Sequence, residues 1–257
     1  MHKIYVMAYA YMKLYGLIGK PLGHSLSADF FNRKFEAEGI DARYLNFEID
    51  SVAELPRLLA EYPALSGLNV TSPYKRDVIP MMESLDPLAD KVQAVNVIKI
   101  IRHPGKNPVM KGYNSDVQGF ADSLEPVLKG RKAALILGTG GAATACMAGF
   151  ERLGLKATLV SRRPGPGYIS YADIDATVMA EHKIVVNATP LGMYPHIGEA
   201  PPVPYGLFTP DHLAYDLVYN PEITEFMRLA SKQGAETKNG LEMLLLQAFE
   251  SWRIFRL

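Results

Sequence analysis

Between Ala133 and Ala143 the chain reads Ala-Ala-Leu-Ile-Leu-Gly-Thr-Gly-Gly-Ala-Ala, and this stretch limits the possible folds more than any other. A five-residue apolar run without polar alternation predicts a strand covered on both faces, as in a parallel sheet. It stops at Gly138, and a helix-favouring series, Ala142–Leu153, follows almost at once. Strand, glycine turn and helix form the opening unit of a dinucleotide-binding fold. Glycines permit a tight turn and a close approach to a pyrophosphate. The helix N-terminus then offers it unpaired N–H groups and the positive end of a dipole. Gly138, Gly140 and Ala143 fit G-x-G-x-x-G/A, a pattern that ordinary strand-to-helix turns also produce.

A second strand is predicted over Lys156–Val160, and it ends in Ser161-Arg162-Arg163. About twenty residues past such a glycine turn, an acidic side chain selects the ribose hydroxyl of NAD, whereas forked cationic donors suit the 2′-phosphate of NADP. Two consecutive arginines with no adjacent acid therefore predict NADP. The alternative is a basic, solvated loop.

Composition narrows the class further. A chain of 257 residues, 48% of them hydrophobic, can bury one large core or two small ones. Zero formal net charge supplies no general attraction to nucleic acid or to an anionic membrane. The single cysteine, Cys146, excludes an internal disulfide and is expected as a small core residue. Histidines show no metal-ligand spacing, and no apolar run is long enough to span a bilayer. Met1–Met12 holds one lysine, three tyrosines and a faintly signal-like Ala8-Tyr9-Ala10. Its apolar part is short and a strand follows from Leu14, so a tag or an upstream start is expected there, and the cytoplasm as location.

Along the first half, strands are predicted over Leu14–Gly19, Tyr44–Ile49, Leu65–Val70, Ala94–Ile101 and Val109–Tyr113. Ser27 is placed as the N-cap of a helix with an apolar stripe of Phe30, Phe31, Phe35 and Ile40, and Val52–Ala60 as a second helix. Pro73 is placed in the first turn of a further helix, with Lys75 just inside it. In the second half, Asp116–Leu128, Glu222–Gln233 and Leu241–Phe255 are expected as helices and Lys183–Asn187 and Leu213–Val218 as strands.

Polar groups at strand ends of an open α/β sheet converge on a crevice. Ser25/Ser27, Asn69/Thr71/Lys75, Asn96, Asn114/Asp116 and Asn187/Thr189 have this character, and Gln247 interrupts an apolar helix. Each alone has an ordinary role as cap or turn residue. Lys75 stands out, because a helix N-terminus disfavours a cation and would lower its pKa, which suits proton transfer.

These segments together resemble the shikimate dehydrogenase family. The resemblance runs from Tyr15 to the C-terminus. It rests on Gly19-Lys20-Pro21 with His24-Ser25-Leu26-Ser27, on Leu68-Asn69-Val70-Thr71-Ser72-Pro73-Tyr74-Lys75, on Ala94-Val95-Asn96 and on Gly112-Tyr113-Asn114-Ser115-Asp116. Further on it includes the glycine turn, Ser161-Arg162-Arg163, Asn187-Ala188-Thr189-Pro190-Leu191-Gly192-Met193, Asp216-Leu217-Val218-Tyr219-Asn220-Pro221 and Gly240–Gln247. Departures from the usual pattern include Ala28, Phe31, Gln93, Ser115, Thr139, Thr144 and Val97, where a hydroxyl is lost.

The resemblance implies an α/β protein with an N-terminal α/β substrate domain (residues 12-115, completed by 238-257) and a C-terminal Rossmann-type NADP-binding domain (116-237), the last helix returning to the substrate domain. It implies reversible, NADPH-dependent reduction of 3-dehydroshikimate to shikimate, with Lys75 and Asp116 as catalytic pair. Ser25, Ser27, Asn69, Thr71, Asn96, Tyr219 and Gln247 would bind substrate. Gly138, Thr139, Gly140, Gly141, Ala142, Ser161, Arg162, Arg163, Thr189, Met193, Leu217 and Gly240 would bind NADP. No metal, nucleic acid or membrane partner is expected, and the protein is a monomer or homodimer on this view. A dehydrogenase for quinate, or a non-catalytic NADP-binding sensor on the same fold, are the alternatives.

Overall fold

The computed structural model describes residues 12–257 apart from His24 and Pro164, so the expectations for Met1–Tyr11 lie outside the described residues. The chain divides into two compact units, one formed by residues through Ser115 joined by Ala248–Leu257, the other by Asp116–Gln247. The sequence places the return to the first unit at 238, whereas chain packing places it inside the last helix, Leu241–Phe255, after Gln247.

In the first unit the strands are β1 (Lys13–Gly19), β2 (Ala42–Glu48), β3 (Leu65–Val70), β4 (Ser84–Leu85), β5 (Val97–Ile101) and β6 (Val109–Tyr113), in the order β2-β1-β3-β5-β6-β4. β1 lies parallel to both β2 and β3, while β5 runs antiparallel to β3 and β6. Alternation along β1 sends side chains to two cores. Leu14 and Ile18 join Leu55, Leu65 and Leu68 on one face, and Tyr15 and Leu17 join Phe31, Phe35, Tyr44, Trp252 and Phe255 on the other. The Phe31 and Tyr44 rings stack with centroids 4.5 Å apart.

Two local expectations fail here. Ser27 is the first residue of the helix Ser27–Glu38 and not its cap; Leu26 occupies the cap position without a side-chain hydrogen bond, and Ile40 falls beyond the helix end. No helix begins at Pro73: residues 72–78 form successive turns, followed by a short 3-10 segment, Ile79–Met81. The Lys75 carbonyl accepts the Val95 N–H at 2.8 Å and is taken by that strand approach, while the Ile79 N–H bonds back to Arg76 at 3.1 Å. The dipole argument for Lys75 therefore fails. The short helix Pro87–Val92 was not expected, although Asp86 caps it through the Ala89 and Leu88 N–H groups and Pro87 opens it.

The second unit contains β7 (Ala133–Leu137), β8 (Lys156–Ser161), β9 (Tyr168–Ser170), β10 (Ile184–Asn187), β11 (Leu213–Asp216) and β12 (Glu236–Lys238), ordered β12-β11-β10-β7-β8-β9. Its pairings are all parallel. Counted from β7, this is the 3-2-1-4-5-6 order of a doubly wound dinucleotide-binding sheet, with the switch point between β7 and β10. Leu135, Leu137, Val185 and Ala214 pack on one face, and Ala134, Ile136, Val186, Leu213 and Tyr215 on the other. Both faces are covered, which is why β7 reads as an unbroken apolar run.

Candidate active site

In the first unit, backbone hydrogen bonds gather the loops at the C-terminal ends of β1 and β3. The Thr71 N–H donates to the Ile18 carbonyl at 2.9 Å and the Lys20 N–H to the Ser72 carbonyl at 3.1 Å. Val70 donates to the Asn96 carbonyl at 2.9 Å, and Asn96 donates to Tyr113 at 3.0 Å. Asn69, Thr71, Lys75 and Asn96 are thereby brought to one edge of the first sheet. Ser25 and Ser27 follow the β1 loop, the Ser27 N–H donating to Ser25 Oγ at 3.3 Å. Tyr74 pins the Lys75 loop by donating its hydroxyl to the Ile49 carbonyl at 2.6 Å, leaving Lys75 half-buried.

Beneath this edge lies a polar network. Tyr44 donates to Asn69 Oδ1 at 2.8 Å, and Asn69 Nδ2 donates to Ser251 Oγ at 2.8 Å and to the Asn96 carbonyl at 3.3 Å. Ser251 and Ser115 hydroxyls meet at 3.0 Å. Asn96 Nδ2 donates to Ser115 Oγ at 2.9 Å, and the Ser115 N–H donates to Asn96 Oδ1 at 2.7 Å. Asn114 donates to the Ala94 carbonyl at 2.9 Å. Buried polar groups cost stability unless paired, so this network holds the two asparagines in set orientations. Burial pushes the Tyr44 phenol well up, keeping it a donor. Tyr44 and Ser251 are absent from the sequence-derived site. Ser251 lies four residues after Gln247 in the same helix, and that i, i+4 spacing was the available signal.

In the second unit, Gly138 has φ of 112°, a backbone region closed to most side chains, and an added Cβ would approach the Ala188 carbonyl oxygen to 3.2 Å. Gly140 precedes the helix Gly141–Arg152 as its cap, without a side-chain hydrogen bond, and a Cβ on Gly140 or Gly141 would meet nothing within 4 Å. Open space in front of first-turn N–H groups, with Thr139 exposed beside it, is a cradle that fits a pyrophosphate. Ala142 sits in that first helical turn. Ser161 ends β8 and its Oγ accepts the Arg163 N–H at 3.1 Å, so Arg162 and Arg163 stand exposed on the loop where a 2′-phosphate would be read.

The loops after β10 and β11 converge on one carboxylate. Asp216 is 0% exposed; its Oδ1 accepts from the Val218 N–H at 2.9 Å and from Asn187 Nδ2 at 3.0 Å, and its Oδ2 accepts from the Thr224 hydroxyl at 2.5 Å. Asn187 Oδ1 accepts both the Thr189 N–H at 3.0 Å and its hydroxyl at 2.6 Å, and Asn187 Nδ2 also donates to the Leu191 carbonyl at 3.1 Å. Burial raises the Asp216 carboxyl to about 6 against the pull of its hydrogen bonds. Gly240 lies so near this loop that an added Cβ would stand 2.0 Å from the Leu217 carbonyl oxygen. Met193 is exposed, Tyr219 is half-buried with its phenol raised by burial, and Gln247 Nε2 donates to the Leu244 carbonyl at 2.9 Å. Asp116, the buried first residue of the helix Asp116–Leu124, belongs to the second unit, and Lys75 to the first.

Among the described residues no group of three or more His, Cys, Asp or Glu is arranged to hold a metal ion, and no helix is long and apolar enough to cross a membrane.

Residues 17–98 match the family model for the shikimate dehydrogenase substrate binding domain. The chain is 34% identical to the shikimate dehydrogenase (NADP(+)) of Desulforamulus reducens, over 93% of this chain and 89% of the relative. Its structure is similar to that of shikimate 5-dehydrogenase from Listeria monocytogenes in complex with shikimate and NAD, at 30% identity and TM-score 0.83, covering 96% of this chain and 92% of the other. Quinate dehydrogenase from Corynebacterium glutamicum in complex with NAD gives 28% identity and TM-score 0.82, covering 95% of this chain and 93% of that one. With a doubly wound nucleotide unit, a polar edge holding Asn69, Lys75 and Asn96, and a curated relative 34% identical over 93% of this chain, this chain belongs to the shikimate dehydrogenase family.

Proposed function

We propose that the protein catalyses the reversible, NADPH-dependent reduction of 3-dehydroshikimate to shikimate. The observation that carries this reading is the gathering of Lys75, Asn69, Thr71 and Asn96 at one sheet edge over a buried polar network. NADPH, when bound, supplies the hydride. Lys75 provides the positive charge and the proton that the carbonyl oxygen needs as negative charge grows on it. Asp116 acts as the carboxylate partner that holds the ammonium.

Both Asn69 amide hydrogens are committed to Ser251 and the Asn96 carbonyl, so toward a ring hydroxyl Asn69 acts as an acceptor through the remaining lone pair of Oδ1. Asn96 and Gln247 are the other amides assigned to ring hydroxyls. Ser25, Ser27, Thr71 and Tyr219 form a hydroxyl clamp for the substrate carboxylate. Gly138 to Ala142 hold the pyrophosphate, Ser161, Arg162 and Arg163 the 2′-phosphate, and Thr189, Met193, Leu217 and Gly240 the nicotinamide side. The arginine pair supports NADP over NAD. A cytoplasmic monomer or homodimer is part of the same proposal.

The likeness to a quinate dehydrogenase favours one second reading, relaxed choice between shikimate and quinate. One assay separates the readings: NADPH oxidation with 3-dehydroshikimate, then NADP and NAD reduction with shikimate and with quinate. Turnover with 3-dehydroshikimate and NADPH supports the proposal. Turnover confined to quinate, or nucleotide binding without turnover, rejects it.

A further inference from the structure

Asp216 is a buried titratable group for which the reaction above has no use. Three donors satisfy its oxygens, and among the described residues no lysine, arginine or histidine forms an ion pair with it. Above its raised pKa of about 6, a buried carboxylate held by neutral donors alone carries a negative charge that no neighbouring cation cancels.

Its place in the sheet gives that charge a target. In register, Asp216 pairs with Asn187 and Asn187 pairs with Leu137, so these residues stand in a row across the C-terminal ends of β11, β10 and β7. Neighbouring strands are about 4.8 Å apart. The carboxylate is therefore about 10 Å or less from the switch point where a dinucleotide lies in such a sheet. It also anchors the two loops, through Val218 and through Asn187 to Thr189 and Leu191, that carry the residues assigned to the nicotinamide.

Oxidised nicotinamide is a cation and the reduced ring is neutral. We propose that the Asp216 carboxylate is a selectivity residue for the oxidation state of the cofactor, its fixed negative charge favouring NADP+ relative to NADPH. This rests on the NADP-binding reading given above. A purely structural role for Asp216 would affect the two cofactor forms alike, whereas a field acts on their difference in charge.

The test is calorimetric titration of the full chain with NADP+ and, separately, with NADPH at pH 8, where Asp216 is ionised. Asp216→Asn keeps the shape and the two acceptor bonds to Oδ1, and Thr224 can turn its hydroxyl to accept. The expected result is about tenfold weaker NADP+ binding with NADPH binding changed less than about twofold. Equal weakening of both forms, or no change in either, overturns the proposal. If Asp216→Asn does not fold, the exchanged pair Asn187→Asp/Asp216→Asn keeps one carboxylate and one amide in the same row. It should retain the wild-type preference, and loss of that preference in a folded exchange variant overturns the proposal. Failure of the wild-type protein to bind either form is a different result: it removes the NADP-binding reading itself, and the inference with it.

Discussion

Asn69 and Ser251 stand 182 positions apart in the chain, yet the Asn69 amide donates to the Ser251 hydroxyl at 2.8 Å in a fully buried setting. The last helix thus orients a residue at the end of β3. Ser251→Ala leaves an amide hydrogen without its partner, which costs about 1–3 kcal/mol. Urea unfolding should show that loss. The KM for shikimate should rise while the Kd for NADP stays unchanged, and an unaltered KM would show that Asn69 does not need this support.

Lys75 is assigned the proton. Lys75→Ala should lower kcat by about 10²–10⁴-fold, the range for a lost general acid–base group, with NADP affinity nearly intact. A rise in KM alone would make Lys75 a binding residue.

Arg162 and Arg163 follow the end of β8 with no acid beside them. Arg162→Ala should weaken NADP binding about tenfold and leave NAD binding almost unchanged, because only the 2′-phosphate requires the cation. Paired dissociation constants for NADP and NAD check this. Equal constants in the wild-type protein would reject the 2′-phosphate assignment.

At Gly240 the backbone passes so close to Leu217 that even a methyl group has no room: its carbon would stand 2.0 Å from the carbonyl oxygen. Gly240→Ala should destabilise by about 1–3 kcal/mol or more, since backbone must move. The displaced Leu217 loop should also weaken NADP binding, which thermal melts with and without NADP would reveal.

His212 is 1% exposed, with both ring nitrogens in contact with backbone groups. Its Nδ1 accepts the Thr209 N–H at 3.0 Å and its Nε2 faces the Met179 carbonyl at 2.9 Å. Burial lowers its pKa from 6.5. The unfolded chain therefore binds this proton more readily than the folded one, so stability is present above pH 6.5 and falls as pH drops below it. Asp216, raised by burial to about 6, works in the opposite direction over the same range, so the check is a comparison: the melting temperature of the wild-type protein relative to His212→Gln should fall from pH 7 to pH 5, and a constant difference would reject the assignment.

The central strands of the second unit were legible because they are covered on both faces and so read as unbroken apolar runs. β7 and the helix Leu241–Phe255 match their sequence-derived bounds residue for residue. Other ends differ by a few residues, as with Asp116–Leu124, Glu225–Ser231 and Leu213–Asp216. Six-residue helices such as Pro87–Val92 and Ala176–Glu181 give too little periodicity to register, even where Asp86 and Asp175 cap them. At Lys75, local pattern suggested a helix and the approach of Val95 to its carbonyl prevented one.

From the order of residues alone came the glycine turn, the arginine pair and the list of polar side chains near strand ends, because each depends on neighbours within a few positions. Folding decided what those side chains do. Asn69 became an acceptor because Ser251 and Asn96, remote in sequence, took its hydrogens. Asp216 became a buried charge because strand pairing set it beside Asn187 and loop closure brought Thr224 to it. Hydrogen-bond partners and local dielectric are properties of three-dimensional surroundings, and spacing along a chain does not encode them directly.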